Sequence, residues 1–307
     1  MRYFCFLFCL FVSGVSMAQQ DPLFSSDGQR SFLFNPASTG TLNKYSVNTI
    51  GRRHLYGINN ASNSFQLNGA FKFLSFPDKW KGLGEGALGV NYLYDQKGFQ
   101  KSNTVVVHSN FQFKLGRTFL SVGVSPGVHI ISFDGEWIPP TSIPDPSLPN
   151  NTYQEAAFTM GAGIHWYGRK FSLGFASSHL FEEVFEDLSF ESRRHYYFNG
   201  SYKFPISRVF GLRAVSTLRT TGSTTSFEGM LYSVLTKNEI SLGLGYRNGD
   251  ALLAGFSFRF SSFYVGYFID YNQSQLTNST FSHEVRLAFE IKDLNLYPFS
   301  PVGTPAF

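Results

Sequence analysis

Large apolar residues and small or polar residues alternate along the stretch Glu239-Ile240-Ser241-Leu242-Gly243-Leu244-Gly245-Tyr246-Arg247. Because successive side chains of a β-strand point to opposite faces, Ile240, Leu242, Leu244 and Tyr246 would share one face. The other face is mostly Gly and Ser, with one charge at each end. A soluble β-sandwich would place long, solvated side chains there. The pattern is typical of a transmembrane β-barrel, with apolar residues facing lipid and small or polar residues facing the lumen.

The same alternation recurs from Tyr45 to Ile291, where small turns divide it into fourteen segments. Most segments have about nine to eleven residues, the length that a tilted strand needs to cross the hydrocarbon core. The predicted strands are 45–53, 63–73, 86–96, 103–115, 118–133, 155–167, 171–179, 194–204, 210–219, 224–235, 239–246, 251–260, 263–271 and 280–291. We therefore predict an all-β fold, a closed antiparallel transmembrane β-barrel of about fourteen strands.

The composition supports a membrane barrel. Of the 307 residues, 43% are hydrophobic, 18% aromatic and only 15% charged, yet the mean hydropathy is −0.10 because polar residues dilute the apolar ones. After the first twenty residues, no apolar run reaches the length of a membrane-spanning helix. A closed barrel is then the remaining way to satisfy the backbone in a bilayer. The net charge of +4 is small and scattered, so nucleic acid is not an expected partner.

The N-terminus predicts a secretory signal peptide over residues 1–18. Arg2 supplies its positive charge, an apolar core follows, and Ser16-Met17-Ala18 is a small-x-small cleavage site. The only cysteines, Cys5 and Cys9, lie in this segment, so the mature chain would carry no thiol, disulfide or cysteine metal site. An exported, cysteine-free, aromatic-rich chain suits the outer membrane of a Gram-negative cell.

The connections predict the orientation of the barrel. Those after even-numbered predicted strands are mostly tight, such as Gly116-Arg117 and Ser261-Ser262, whereas the two longest, 134–154 and 180–193, follow odd-numbered strands. Outer-membrane barrels place short turns in the periplasm and long loops outside, so we expect both termini in the periplasm. The connection 74–85 is the exception, because it is long on the periplasmic side.

Two segments flank the predicted barrel of residues 45–291. Residues 19–44 are polar apart from the cluster Phe32-Leu33-Phe34, which precedes Asn35-Pro36. That cluster needs burial away from lipid, and the inward glycines leave room for water or a plug. We therefore expect 19–44 to be ordered at the periplasmic mouth or inside the lumen. The tail, 292–307, contains three prolines and is expected in the periplasm.

The alternation assigns side chains to the two faces of the wall. Val124 and Leu244 face lipid, whereas Gly123 and Gly243 face the lumen, where we expect serine to be tolerated. The inward charges either line an anion pathway or pair with carboxylates such as Glu239 to stabilise a packed interior. The predicted lumen-facing residues are His108, Asn110, Gln112, Lys114, His129, His165, Arg213, Arg219, Arg247, Arg259, Asp270, Glu284 and Arg286.

No catalytic or metal-binding motif is present in the sequence. It contains neither Gly-x-Ser-x-Gly, nor His-Glu-x-x-His, nor a phosphate-binding glycine loop. The seven histidines are scattered one to a segment, which is poor spacing for metal ligands. His283 and Glu284 are adjacent on a predicted strand, so they face opposite ways and cannot form a simple dyad. We predict no catalytic residue, no cofactor and no metal.

The loop 180–193 contains an acidic and aromatic stretch. It would form a short amphipathic turn on the barrel mouth, a calcium site or a docking surface for a partner. Exposed loops on a rigid scaffold commonly carry recognition residues. The candidate partner-contact residues are Phe181, Glu182, Glu183, Phe185, Glu186 and Asp187.

Both ends of the mature chain resemble the PorP/SprF family of Bacteroidota. The start, Gln19–Ser25 followed by Phe34-Asn35-Pro36-Ala37, looks like that family's opening. Tyr264–Tyr271 and Ser282–Leu287 resemble its closing strand pair, with its characteristic His-Glu at the second. Residues 51–55 depart from the family, since they lack its Trp-containing element. The positions that match the family's motifs are Asn35, Pro36, Asp95, Gly98, Asp270, His283 and Glu284.

The resemblance implies a non-enzymatic outer-membrane component associated with type IX secretion and, in some members, with gliding motility. Its partner would be a secreted surface protein, such as a large adhesin, or a component of the secretion apparatus. A second hypothesis is a channel for small hydrophobic solutes, because barrels of this size also pass or bind such molecules. An outer-membrane enzyme is the weakest of the three.

The predicted orientation can be tested with single cysteines, because the mature chain contains none. A cysteine at Ser147, in the longest loop, should react in intact cells with a membrane-impermeant maleimide. A cysteine at Ser262, in a tight turn, should react only after the outer membrane is opened. The opposite pattern would invert the topology, and the cysteine-free parent chain gives the background.

Overall fold

The barrel is seen in a computed structural model, which describes residues 21–22, 24–26, 34–41, 43–57, 61–75, 84–135, 151–185, 190–235, 240–273 and 281–292. Among these residues, no helix has the length and hydropathy required to span a membrane. The elements are a 3₁₀ turn at Pro36–Ser38 and the strands β1 (Asn43–Arg53), β2 (Asn63–Ser75), β3 (Glu85–Lys97), β4 (Gln100–Leu115), β5 (Thr118–Phe133), β6 (Tyr153–Tyr167), β7 (Phe171–Ser178), β8 (Glu183–Phe185), β9 (Phe190–Ser192), β10 (His195–Pro205), β11 (Phe210–Thr220), β12 (Thr225–Leu235), β13 (Ile240–Arg247), β14 (Ala251–Phe260), β15 (Phe263–Asn272) and β16 (Phe281–Lys292).

Fourteen of these strands form a closed antiparallel barrel. Each pairs with its neighbour in the chain, and β1 pairs with β16 to close the sheet. The small strands β8 and β9 form a separate hairpin, so β7 pairs directly with β10. The predicted fold class is confirmed, and every predicted strand boundary lies within three residues of the observed one. The segment 180–193, predicted as a loop, differs in that it contains this hairpin.

The two ends of the barrel differ in their connections. The short-turn end carries 116–117, 168–170 and 261–262, and the long-loop end carries 134–152 and 179–194. Strand β1 begins and β16 ends at the short-turn end. Several predicted features lie outside the described residues. They are the signal peptide 1–18, most of the loop 134–154 and the tail beyond Lys292.

The side chains are distributed as expected for a wall between lipid and a polar interior. Large apolar residues are exposed on the outer face, where Leu244 is 72% exposed and Phe158 57% exposed. Many of the buried residues are polar or charged, which is the reverse of a soluble core. All residues predicted to face the lumen are buried or partly buried except Lys114, which is exposed near the short-turn end.

Part of the interior is packed with aromatic rings over glycines. A Cβ on Gly243 would lie 2.4 Å from Cε1 of Tyr232, and one on Gly255 would lie 2.5 Å from Cδ1 of Phe268. The expectation that serine is tolerated at Gly243 is therefore wrong, because the hydroxymethyl group would collide with the Tyr232 ring. The buried apolar cluster on this wall contains Met230, Tyr232, Val234, Ala251, Leu253 and Phe268.

The lipid face yields a stability prediction at Leu244, midway along β13. Leu244→Arg should lower the free energy of unfolding by about 2–4 kcal/mol, since a guanidinium near the bilayer midplane is poorly solvated. The volume-conserving control Leu244→Met should cost less than about 1.5 kcal/mol. Urea titration of the protein folded in lipid vesicles measures both. An arginine variant as stable as the methionine control would place Leu244 away from the bilayer.

Candidate functional site

The described residues that precede β1 lie inside the barrel. They contact inward side chains of strands on several sides of the wall, including β1, β4, β10 and β16. We call residues 21–22, 24–26 and 34–41 the lumen segment. Phe34 of this segment stacks on Tyr197, with ring centroids 4.2 Å apart, and Phe24 packs on Ile50. The rest of the predicted apolar cluster, Phe32 and Leu33, lies outside the described residues.

The 3₁₀ turn of the lumen segment rests on glycines of the wall. Asn35 caps the turn, since its Oδ1 accepts from the backbone N–H of Ala37 at 3.0 Å, and its Nδ2 donates to the carbonyl of Ile164 at 3.0 Å. A Cβ on Gly123 would lie 2.6 Å from the backbone nitrogen of Ala37, and one on Gly163 would lie 2.1 Å from Oδ1 of Asn35. With Gly174, whose Cβ would meet Nδ2 of Asn35 at 2.9 Å, these residues form the glycine patch. Serine at Gly123 is therefore also not accommodated.

Amide side chains of β4 bind the backbone of the same turn. Nδ2 of Asn110 donates to the carbonyl oxygens of Ala37 and Thr39, at 3.1 and 2.5 Å. Nε2 of Gln112 donates to the same carbonyl of Thr39 at 3.3 Å, and Oε1 of Gln112 accepts from the Tyr167 hydroxyl at 2.7 Å. These bonds satisfy backbone carbonyls that are buried in the lumen, which would otherwise cost free energy.

A carboxylate of β16 binds the other part of the lumen segment. The backbone N–H groups of Ser25 and Ser26 each donate to an oxygen of Glu284, both at 2.7 Å. The Ser25 hydroxyl donates to Oδ2 of Asp270 at 2.9 Å. Glu284 and Asp270 are almost fully buried, at 1% exposure, so these bonds replace water that the barrel excludes.

Two arginines neutralise these carboxylates. Arg52, which is directly opposite Glu284 in the β1–β16 pairing, lies 2.7 Å from Asp270 and 3.4 Å from Glu284. Arg247 is fully buried and donates to the Ser25 hydroxyl at 2.8 Å. Its carboxylate partners are Glu228 at 3.0 Å, Asp250 at 2.8 Å and Asp270 at 3.0 Å. Because buried charges need such partners, this charge network favours the packed interior over an anion pathway.

Histidines meet carboxylates at the long-loop end. Glu183 accepts from Nδ1 of His129 and from Nδ1 of His179, both at 2.6 Å. Nε2 of His179 lies 3.3 Å from Oδ1 of Asp21, and the rings of His179 and His195 are 5.6 Å apart. We call Asp21, His129, His179, Glu183 and His195 the histidine cluster.

The electrostatics of this cluster are dominated by close opposite charges. Burial alone would lower the pKa of His179, but Asp21 and Glu183 outweigh it and raise this pKa to about 10. Burial alone would raise the pKa of Glu183, but hydrogen bonds from His129 and His179 lower it to about 2. Sequence spacing did not predict the cluster, because closure of the barrel brings together histidines from separate segments.

The residues that match the family's motifs have different structural surroundings. Asn35, Pro36, Asp270 and Glu284 belong to the contacts of the lumen segment with the wall. Asp95 is buried on β3, where it accepts from the Ser64 hydroxyl at 2.6 Å and pairs with Lys97 at 2.8 Å. Gly98 has a φ of 60°, which the β3–β4 turn requires. His283 faces outward and its Nδ1 lies 2.6 Å from the Tyr267 hydroxyl, on the opposite face from Glu284.

The described candidate partner-contact residues lie just before β8 or on it, and they differ in exposure. Phe181 and Glu182 are exposed. Glu183 points inward into the histidine cluster, and Phe185 is buried against Ile131. Glu186 and Asp187 lie outside the described residues. Of the described candidates, then, only the first two are accessible to a partner.

A closed fourteen-strand barrel with an apolar outer face and a polar interior is an integral protein of the outer membrane. The sequence profile of the type IX secretion system membrane protein PorP/SprF matches residues 16–289. The chain belongs to this family.

Solved structures show the same fold. The CymD monoaromatic hydrocarbon channel superposes with a TM-score of 0.53 and 11% identity, covering 87% of this chain and 94% of that one. The Ralstonia pickettii toluene transporter TbuX superposes with a TM-score of 0.50 and 10% identity, covering 86% and 94%. At these identities the likeness shows the architecture alone. None of the curated proteins matches this chain in sequence.

The glycine patch yields a testable prediction. Gly123→Ala should displace the 3₁₀ turn, because its Cβ would meet the backbone of Pro36 and Ala37, which cannot rotate away. The lumen segment should then become sensitive to limited proteolysis while the barrel keeps its heat-modifiable mobility in gels. Gly51→Ala is the matched control, since a Cβ there has no neighbour within 4 Å. Equal protease resistance of the two variants would show that the patch does not hold the turn.

Proposed function

We propose that this protein is a non-enzymatic outer-membrane barrel that supports type IX secretion by binding a partner protein. The partner is a secreted surface protein, such as an adhesin, or a component of the secretion apparatus. Membership of the PorP/SprF family supports the link to secretion.

The observation that carries the proposal is the occupied lumen. The glycine patch and the amides of β4 bind one part of the lumen segment, and the buried charge network binds another. Releasing the segment would leave Glu284 and Asp270 without donors that now satisfy them, at a cost in free energy. We infer that the lumen segment acts as a plug, so the surface that binds a partner lies outside the lumen.

The long-loop end provides a surface suited to a partner. We assign it to the cell surface, because outer-membrane barrels carry their longer loops outside. Phe181, which precedes the β8–β9 hairpin there, and Val184 on β8 are 59% and 54% exposed. The opposite face of the hairpin is fixed by Glu183 and Phe185, which are buried. A rigidly held apolar patch loses little conformational entropy on binding, which favours recognition of a protein.

The proposed role involves no catalysis. The family and the fold are those of membrane proteins for secretion and transport. The His-Glu pair that might suggest a dyad is divided between the two faces of β16, since His283 faces outward and Glu284 is buried in the lumen.

A hydrophobic-solute channel is the second candidate. The proteins of similar fold are described as a monoaromatic hydrocarbon channel and a toluene transporter. The observation in this chain that favours it is an apolar recess of about 480 Å³ in the lipid-facing surface beside Gly200, which is opposite the outward Leu173 in the β7–β10 pairing. Its apolar lining includes Trp166, Phe175, Phe198, Leu218 and Phe227.

Gene deletion and complementation separate the two candidates. Deletion should abolish surface display of one specific large protein while leaving the other outer-membrane proteins unchanged.

Complementation with Phe181→Ser should restore display poorly, because this change removes the exposed ring beside the hairpin. Ile206→Ser is the matched control, since Ile206 is 58% exposed at the short-turn end. Surface proteomics and toluene uptake are measured together. Normal display combined with reduced toluene uptake would replace this proposal with the channel.

A further inference from the structure

We propose that Asp21, His179 and His195 form a binding site for a divalent transition metal, with Zn²⁺ as the best match. One ligand atom from each of these residues lies within 4.8 Å of the other two. Asp21 comes from the lumen segment, His179 directly follows β7, and His195 begins β10. A metal at this site would fasten the lumen segment to the wall of the barrel. The inference is independent of any partner at the cell surface.

Both histidines are oriented as metal ligands are. Nδ1 of His195 lies 2.9 Å from the backbone carbonyl of Arg193, and a carbonyl can only accept, so Nδ1 carries the proton. Nδ1 of His179 is bound to the Glu183 carboxylate at 2.6 Å. Metal-ligating histidines typically donate one ring N–H to a carbonyl or a carboxylate and bind the metal through the other nitrogen. Both Nε2 atoms are therefore the ones available to a metal.

The Nε2 atom of His195 is the observation that points most directly to a ligand. This side chain is 3% exposed, and its Nε2 has no hydrogen-bond partner among the described residues. A buried acceptor without a partner is unfavourable, because it has lost its hydrogen bonds to water without replacing them. Binding a cation at Nε2 would satisfy it. The tautomer fixed by Arg193 leaves this nitrogen with a free lone pair.

One carboxylate oxygen of Asp21, Oδ1, is positioned to bind a metal ion. Its Oδ2 accepts from the Ser178 hydroxyl at 3.2 Å and also from the Tyr197 hydroxyl. Its Oδ1 lies 3.3 Å from Nε2 of His179. Two ligand atoms, each about 2.0 Å from a tetrahedral zinc ion, are about 3.3 Å apart, so this pair fits zinc without rearrangement. The Asp21 side chain is 17% exposed, which leaves a path for the ion.

A second arrangement of ligand atoms, from His129, His179 and Glu183, is less suited to a metal. Nδ1 of His129 is bound to Glu183 at 2.6 Å, and its Nε2 is 2.8 Å from the Ser102 hydroxyl. Glu183 is shared between both histidines. These three residues act instead as the support that fixes the ring of His179. Glu183 is thus a positioning residue for the site and not a ligand.

The site has three protein ligands from elements that are remote in sequence, since His179 and Asp21 are 158 residues apart. Three ligands leave a fourth position for water or for a group from a partner. A metal bound only in the folded state stabilises that state and releases protons on binding. Without the metal, the same residues form an ion pair between the His179 imidazolium and two carboxylates.

Metal binding to the full-length protein in detergent tests the proposal. After treatment with a chelator, titration with Zn²⁺ by calorimetry should show one ion per chain, and Co²⁺ should give the visible absorption of a tetrahedral site. Asp21→Asn and His195→Ala should each weaken Zn²⁺ binding by at least about 100-fold. Glu183→Gln should weaken it by about 10–100-fold, as the loss of an outer-shell partner does. His283→Ala, which removes an outward histidine, should leave the affinity unchanged.

Folding is checked independently by heat-modifiable mobility in gels. Asp21→Asn is nearly isosteric and lies outside the strands, so the barrel should form in that variant. The proposal is overturned if the folded wild-type protein binds no stoichiometric Zn²⁺. It is also overturned if Asp21→Asn and His195→Ala bind Zn²⁺ as tightly as the wild type does. Either result would leave the histidine cluster as a buried ion pair.

Discussion

The pairing of β1 with β16 is the interaction on which the rest of the structure depends. Within hydrocarbon, no water is available to bind an unpaired N–H or C=O, so a sheet can cross a bilayer only if it has no edge. The ladder from Asn43 to Arg53 removes that edge. Closure in turn creates an interior, and the alternation that places Leu244 and Phe158 toward lipid necessarily places the intervening residues inside. The polar character of the lumen is therefore a consequence of the β1–β16 pairing, which we call the seam.

The interior of the barrel is filled in two different ways along its wall. From β12 to β15, rings pack over glycines, as Tyr232 does over Gly243. From β5 to β7, glycines instead leave room for the chain's own N-terminal residues, as Gly123 does for the backbone of Ala37 and Gly163 for the side chain of Asn35. Between them, Arg52 and Arg247 balance carboxylates that also bind serines of the lumen segment. In both parts of the wall, glycine is needed because another group packs directly against its Cα.

Sequence reasoning predicted the wall well and its contents poorly. Lipid and lumen impose a strict period of two, so strand number, boundaries and the inward direction of Asp270 or Glu284 could be predicted from the alternation. Parity gives the direction of a side chain but not its partner, which is why the alternation predicts that serine is tolerated at Gly123, where the 3₁₀ turn leaves no room for it. The meeting of His179 with Asp21 depends on how the barrel closes around the N-terminal residues. No local pattern encodes such a contact.

The same limit explains the histidines more generally. Each lies in a different segment, and spacing along the chain argues against a common site. His129 was predicted to face the lumen, but His179 and His195 flank the β7–β10 connection, where the strand pattern ends. The hairpin β8–β9 then turns Glu183 back toward the wall. A short period-two signal over Glu183–Phe185 was the only available indication of this hairpin, and three residues are too few to distinguish it from a loop.

The position of Ser25 has a consequence for the order of folding. Its partners lie on both sides of the closing seam, since Arg52 belongs to β1 and Glu284, directly opposite, belongs to β16. Ser25 and Glu284 are 259 residues apart, so their contact has a large loop-closure entropy and is expected to form late. Entry of the N-terminal residues and sealing of the wall thus become a single cooperative step. An assembly factor that kept β1 and β16 apart would therefore also keep the lumen segment from binding inside the barrel.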